Sequence, residues 1–297
     1  MLPLRHEVRL VMVWGPPRSG TTWLFNLTTS VLDAGGIPYV RAQSDEPLSD
    51  IPCEGAVVIK SHQPIDPGLL NGFRSIAIVR CFAILRDPFA AFQSLLRTQR
   101  APRAELLQWL ETDIDLLSEV SSSLPPLRII REEWIAERGA EIATRVADEL
   151  LLTLPERKAL EIAAALDKEQ VSALISGLAE ERGWRGEFDE FDEDTHWHAN
   201  HISPDGYEPE PLTPEEEQKL AELSIKVDRL TDVLSIFSTA AVKNVSSDSA
   251  PTFSPLELFD LAREGLRVRE SDDQRPGLIE KVSHYLRRGG RKVSSSS

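Results

Sequence analysis

Gly15-Pro16-Pro17-Arg18-Ser19-Gly20-Thr21-Thr22-Trp23 joins a short apolar run, Val8 to Trp14, to a segment with helical periodicity. Two glycines, three hydroxyl side chains and one arginine in nine residues are suited to holding an anion. At a strand-to-helix turn, free backbone N–H groups and the positive end of the helix dipole converge on one point. Arg18 adds a full positive charge there. The chemistry this favours is the binding of a phosphate-like group.

The spacing of Gly15 and Gly20 is that of a Walker A loop, but Thr21 stands where G-x-x-x-x-G-K-[ST] needs its lysine. That lysine serves the β- and γ-phosphates of a triphosphate, so its replacement points to a shorter anion. Pro17 to Trp23 resembles the 5′-phosphosulfate loop of the sulfotransferase family, Pro-Lys/Arg-Ser-Gly-Thr-Thr-Trp. The family binds 3′-phosphoadenosine 5′-phosphosulfate (PAPS) and releases adenosine 3′,5′-bisphosphate (PAP). The resemblance implies that Arg18 contacts the transferring group, that Ser19, Gly20, Thr21 and Thr22 wrap the 5′-phosphate, and that Trp23 stacks on adenine.

A second stretch, Phe82-Ala83-Ile84-Leu85-Arg86-Asp87-Pro88 with Ser94 eight residues after Arg86, resembles the family's 3′-phosphate signature. Arg is physically apt, since its planar fork engages two oxygens of a terminal phosphate. A triphosphate has one phosphate train, whereas PAPS carries phosphates at both ends of its ribose. Two separated devices are what such a ligand requires.

Between them, Val57-Val58-Ile59-Lys60-Ser61-His62 resembles the family's Lys-Thr-His motif, with Ser61 in place of Thr. The resemblance makes His62 the candidate general base, because an attacking hydroxyl or amine must lose a proton and an imidazole can take it near neutral pH. Lys60 and Arg18 could stabilise charge on the bridging oxygen as the sulfur–oxygen bond breaks. Some sulfotransferases use a glutamate as base, so that alternative stays open. Arg131-Glu132-Glu133-Trp134 is only loosely similar to a family Tyr-Glu-Asp-Leu segment and reads as a strand end with a solvated acidic turn, without chemistry.

Thr195 to Gly206 contains His196, His198 and His201. Three histidines within six residues would crowd one ion, no cysteine helps, and the chemistry above needs no metal, so no metal is expected. A similar histidine loop in bacterial sulfotransferases implies that His198, Asn200 and His201 face the cofactor or acceptor. The acids from Asp189 to Asp194 read as a solvated stretch, and the basic run Arg287 to Lys292 as a frayed tail.

The elements that must position these residues are legible in the apolar pattern. Strands are expected at 8–14 and 56–60, over 76–85 as one strand or two, and at 127–130. Helices are expected at 21–34, 88–100, along the stripe Leu106 to Val120, at 138–152, 155–166 and 168–178, and from Thr213-Pro214-Glu215-Glu216, a capping box with Pro at the first helical position. Segment 183–211 lacks periodicity and reads as a functional loop. Alternating strands and helices predict an α/β fold of three layers, α/β/α, with a central parallel sheet of P-loop nucleotide-binding type. The expected division is 1–237 for this domain, 238–254 for a linker and 255–297 for a helical extension and flexible tail.

The chain has 297 residues, 41% of them hydrophobic, with 48 acidic against 33 basic side chains for a net charge of −15. This length can bury a large core. The acidic balance argues against nucleic acid as a partner. Two cysteines exclude a disulfide framework and fit a reducing, cytoplasmic setting. No apolar run reaches the ~18 residues of a spanning helix, and the N-terminal residues Arg5, His6 and Glu7 do not suit a signal peptide. The expected function is transfer of a sulfuryl group from PAPS to a small-molecule, saccharide or lipid acceptor. The alternatives are an ATP-dependent P-loop kinase or a nucleotide-binding module without turnover.

Overall fold

A computed structural model of the chain describes residues 8–43, 55–62, 77–99, 101–122, 126–184, 191–192, 195–198 and 208–238. Five strands, β1 (Val8–Trp14), β2 (Tyr39–Gln43), β3 (Ala56–Ser61), β4 (Ala77–Leu85) and β5 (Leu127–Arg131), form one sheet in the order β2-β3-β1-β4-β5. Every pairing is parallel. Among the described residues seven α-helices accompany it: α1 (Thr21–Ala34), α2 (Pro88–Thr98), α3 (Arg103–Val120), α4 (Ile135–Glu149), α5 (Glu156–Ala165), α6 (Lys168–Arg182) and α7 (Pro214–Leu234). A short 3₁₀ turn, Glu132–Trp134, precedes α4.

The strands are apolar on both faces because both faces are covered. Leu10, Met12 and Trp14 of β1 join the core beneath α2, α3 and α7, while Val11 and Val13 point the other way into the core with α1, α4, α5 and α6. Phe25, Phe82 and Phe92 are among the largest fully buried side chains, each contributing about 1.5–3 kcal/mol. The expected capping box forms at α7, where Thr213 Oγ1 accepts from the Glu216 amide at 3.2 Å and the Glu216 carboxylate accepts from the Thr213 amide at 2.8 Å. Arg103 of α3 then donates twice to the same carboxylate, at 2.9 Å each.

Four details go beyond the sequence reading. Segment 76–85 is a single strand, because the Arg80 side chain leaves the sheet to donate to Glu149 O at 2.7 Å. Strand β2 was not foreseen: it is five residues long, contains Arg41 and lies at the sheet edge after Pro38. Helix α6 runs through Gly177, where a side chain would meet open space, and ends at Gly183 with φ 69°. After α7 the chain pairs with β5, the Ile236 amide donating to Ile129 O at 2.9 Å. The expected linker and tail lie outside the described residues beyond Ser238.

Register fixes where the site is. Trp14 lies opposite Ser61 on one side and Ala83 on the other, and Leu85 lies opposite Arg131. The segments that begin at Gly15, His62, Arg86 and Glu132 therefore leave the sheet side by side at its carboxyl edge, the ligand-binding edge of open α/β sheets.

Candidate functional site

The loop from Gly15 to Gly20 is drawn tightly over the end of β1. A Cβ at Gly15 would lie 2.4 Å from Ile84 O and 2.6 Å from Ser19 Oγ, so only glycine fits. Arg18 and Gly20 are both left-handed, with φ 68° and 95°, and between them the Ser19 amide closes the turn by donating to Pro16 O at 3.2 Å. The buried Ser19 hydroxyl donates to Pro16 O at 2.6 Å. Ser19 thus shapes the loop from within. Gly20 caps α1 and no side chain among the described residues caps its first amides.

The two anion devices meet. Arg18 Nε donates to Ser94 Oγ at 2.9 Å, and Arg86 Nη1 approaches Arg18 O at 3.5 Å. The Arg18 pKa is lowered to about 10, chiefly by burial and then by the charges of Arg97 and Arg86. Arg97 was missed by sequence reading; its one-turn spacing from Ser94 on α2 was the available signal. Three guanidinium groups gathered in this way favour an anionic occupant, which relieves their repulsion. Arg86 Nε is buried and makes no hydrogen bond among the described residues, although a Glu132 carboxylate oxygen stands 3.4 Å away as an ion pair.

Lys60, the penultimate residue of β3, is buried, and His62 just beyond the strand is exposed. His62 Nδ1 lies 3.1 Å from Gly15 O. A carbonyl can only accept, so in this contact Nδ1 is the donor. The His62 carbonyl is itself held by Trp14 Nε1 at 3.1 Å.

A cavity of about 420 Å³ joins these groups. Its lining includes Arg18, Gly20, Thr21, Thr22, Trp23, Lys60, His62 and Arg86. Ser19 supports it from beneath the loop and Ser94 through Arg18. Trp23 is buried, donates through Nε1 to Leu166 O at 2.9 Å, and still presents surface to the cavity.

The histidine loop is divided. His198 lines the cavity, whereas Asn200 and His201 lie outside the described residues. His196 packs edge-on against Phe25 at 4.9 Å between ring centroids and is buried, so its role is structural. Its pKa falls to about 4, chiefly through burial and then through Lys60 and Arg41. Among the described residues no three His, Cys, Asp or Glu side chains gather to hold a metal. Asn26 of α1, which the sequence did not single out, ties this loop to the glycine turn by donating to Thr195 O at 2.7 Å and Thr22 O at 2.9 Å.

Glu132, read from sequence as part of a solvated acidic turn, is placed on the cavity wall beside Arg86. Position 132 follows β5 and lands next to the glycine loop because β5 pairs with β4 at Leu85, a neighbourhood invisible in local sequence. Leu95, Gln99 and Trp109 form a further wall that sequence reading did not foresee. No helix among the described residues is long and apolar enough to cross a membrane.

No family model matches the chain, and no curated protein matches it. Among solved structures it is similar to retinol dehydratase in complex with androsterone and inactive cofactor PAP, at TM-score 0.50 and 16% identity, covering 78% of this chain and 82% of that one. It is also similar to mouse sulfotransferase SULT7A1 complexed with PAP, at TM-score 0.49 and 14% identity, covering 77% of this chain and 86% of that one. The likeness to retinol dehydratase establishes a shared fold, the three-layer parallel α/β architecture expected from the sequence.

Proposed function

We propose that this chain is a sulfotransferase that moves a sulfuryl group from PAPS to a hydroxyl or amine on a small-molecule acceptor, leaving PAP. The observation that carries the reading is the meeting of the two anion devices in one cavity, Arg18 on Ser94 at 2.9 Å and Arg86 against the Arg18 carbonyl at 3.5 Å. A nucleotide with phosphates at both ends of its ribose could engage both devices from one cavity, and Thr21 in place of the Walker A lysine disfavours a triphosphate.

The residues present fit such a nucleotide. The glycine turn leaves no room for a Cβ at Gly15, Arg18 and Gly20 hold it in a left-handed conformation, and Arg86 lines the same cavity. Gly20, Thr21 and Thr22 would hold the 5′ end, Arg86 with Ser94 the 3′-phosphate, and Trp23 the adenine. When bound, the nucleotide supplies an activated sulfuryl group. His62 accepts the acceptor's proton at Nε2, the ring nitrogen opposite the Nδ1 that faces Gly15 O at 3.1 Å. Lys60 and Arg18 offer fixed positive charge where negative charge grows, which in a partly buried site costs no reorganisation. Neither role calls on a metal ion.

Leu95, Gln99 and Trp109 stand on the wall of the same cavity as His62, and this largely apolar surface suits the body of a small acceptor. Retinol dehydratase, which shares the fold, was solved with androsterone and PAP together, which supports a small acceptor here. Incubating the protein with ³⁵S-labelled PAPS and a panel of phenols, steroids, saccharides, lipids and amines tests the reading. Transfer of label that disappears in His62→Ala is expected. Nucleotide binding with no transfer to any acceptor favours a module without turnover.

A further inference from the structure

Glu132 is a carboxylate in a cavity whose other charged lining residues are Arg18, Lys60, Arg86 and the titratable pair His62 and His198. An acid beside a proposed phosphate site repels the ligand unless it does something else. Its position says what. Glu132 leads the 3₁₀ turn after β5, and its Oε2 faces Arg86 Nε at 3.4 Å. Its stem lies across the glycine loop, with Cγ 3.5 Å from where a Cβ on Gly20 would sit. The far side of the Arg86 guanidinium points elsewhere, Nη1 toward the Arg18 carbonyl. The carboxylate therefore meets the guanidinium on its Nε side, and the Nη end reaches toward the loop. Burial raises the Glu132 pKa, and among the neighbouring charges Arg86 opposes that rise most, ahead of Lys168, while Glu133 adds to it.

We infer that Glu132 is a positioning residue for Arg86: by engaging its Nε side, the carboxylate orients the guanidinium so that the Nη end is presented to the 3′-phosphate of the nucleotide. This rests on the PAPS reading above and goes beyond it by giving the acidic turn after β5 a part in cofactor selectivity. An arginine fixed in its rotamer loses less freedom on binding, and one already neutralised on one side is cheaper to hold buried.

The test is calorimetric binding of PAP and of adenosine 5′-phosphate, which lacks the 3′-phosphate, to wild type, Glu132→Gln, Arg86→Met and the double variant. Glu132→Gln keeps the side chain's shape and removes its charge. The expected result is a fall of about tenfold in the preference for PAP over adenosine 5′-phosphate, the scale of one charge-assisted contact. Affinity for adenosine 5′-phosphate itself should hold, and Glu132→Gln should have no further effect once Arg86 is methionine. A purely structural role would lower both affinities together, and that outcome overturns the inference. So does an unchanged or tighter grip on PAP, which would make Glu132 a competitor of the phosphate. If wild type binds PAP no better than adenosine 5′-phosphate, the cofactor reading fails first, and that result is distinct from either of the others.

Discussion

Arg18 and Ser94, separated by 76 residues, share a hydrogen bond of 2.9 Å from Nε to Oγ. One belongs to the glycine turn after β1 and the other to the helix after β4. These strands pair directly in the sheet, with Trp14 opposite Ala83, so the bond is a consequence of register. It makes the two anion devices one unit, and their effects on ligand binding should not be independent.

Arg18→Met and Ser94→Ala should each weaken PAP binding about tenfold, as expected for loss of a hydrogen bond to a charged group. The double variant should lose clearly less than the sum of the two, with a coupling of about 1 kcal/mol or more in a double-mutant cycle. Isothermal titration of the four proteins measures it. Strict additivity would mean that the two devices act separately.

His62→Ala should cut sulfuryl transfer by about 10²-fold or more, the usual scale for a general base, while PAP affinity stays within about twofold. Single-turnover transfer of ³⁵S label and calorimetry give the two numbers. Normal turnover in the variant would return the role of base to a glutamate.

His196 supplies a pH dependence whose sign follows from burial. Its pKa is about 4 in the folded chain against an ordinary 6.5, so the unfolded chain binds the proton more readily between those values. Stability from this group is present above about pH 6.5 and is lost as pH falls toward 4, by an amount of order 3 kcal/mol at most. His196→Asn tolerates the left-handed backbone there, φ 57°, and removes the titration. Urea unfolding at pH 7 and pH 5 should show a smaller acid loss in the variant than in wild type. An equal loss in both would remove His196 from the account.

Gly15→Ala places a methyl group where Ile84 O would be 2.4 Å away. The loop must move to admit it. Destabilisation of about 1–3 kcal/mol is expected, together with loss of measurable PAP binding. Thermal unfolding with and without PAP checks both. Wild-type affinity in this variant would show that the turn is not the anion cradle.

What could be read from sequence was what local pattern encodes. β1, α1 and the capping box of α7 follow from apolar alternation, glycine and hydroxyl placement, all within a few residues. The glycine turn was legible from its spacing between an apolar strand and a helix, and Arg86 and His62 from the resemblance of their short motifs to family signatures. The rest depends on which strands are neighbours. Glu132 reaches the glycine loop only because β5 adds to the sheet beside β4, and Asn26 meets Thr195 across 169 residues. Edge strand β2, short and interrupted by Arg41, has too weak a local signal to be separated from loop. Arg97 and Trp109 come near the site only through the packing of α2 and α3 against the sheet.

The most direct measurement is a thermal shift with PAP and no magnesium, beside ATP with magnesium, on wild type and Arg86→Met. At about 100 times its dissociation constant a ligand adds about 2.7 kcal/mol of stability, so PAP should raise the melting temperature of wild type by roughly 5 °C or more. That rise should shrink sharply in Arg86→Met, and ATP with magnesium should add little to either. A shift with ATP and magnesium but none with PAP would contradict a cavity built to hold a nucleotide by both ends of its ribose.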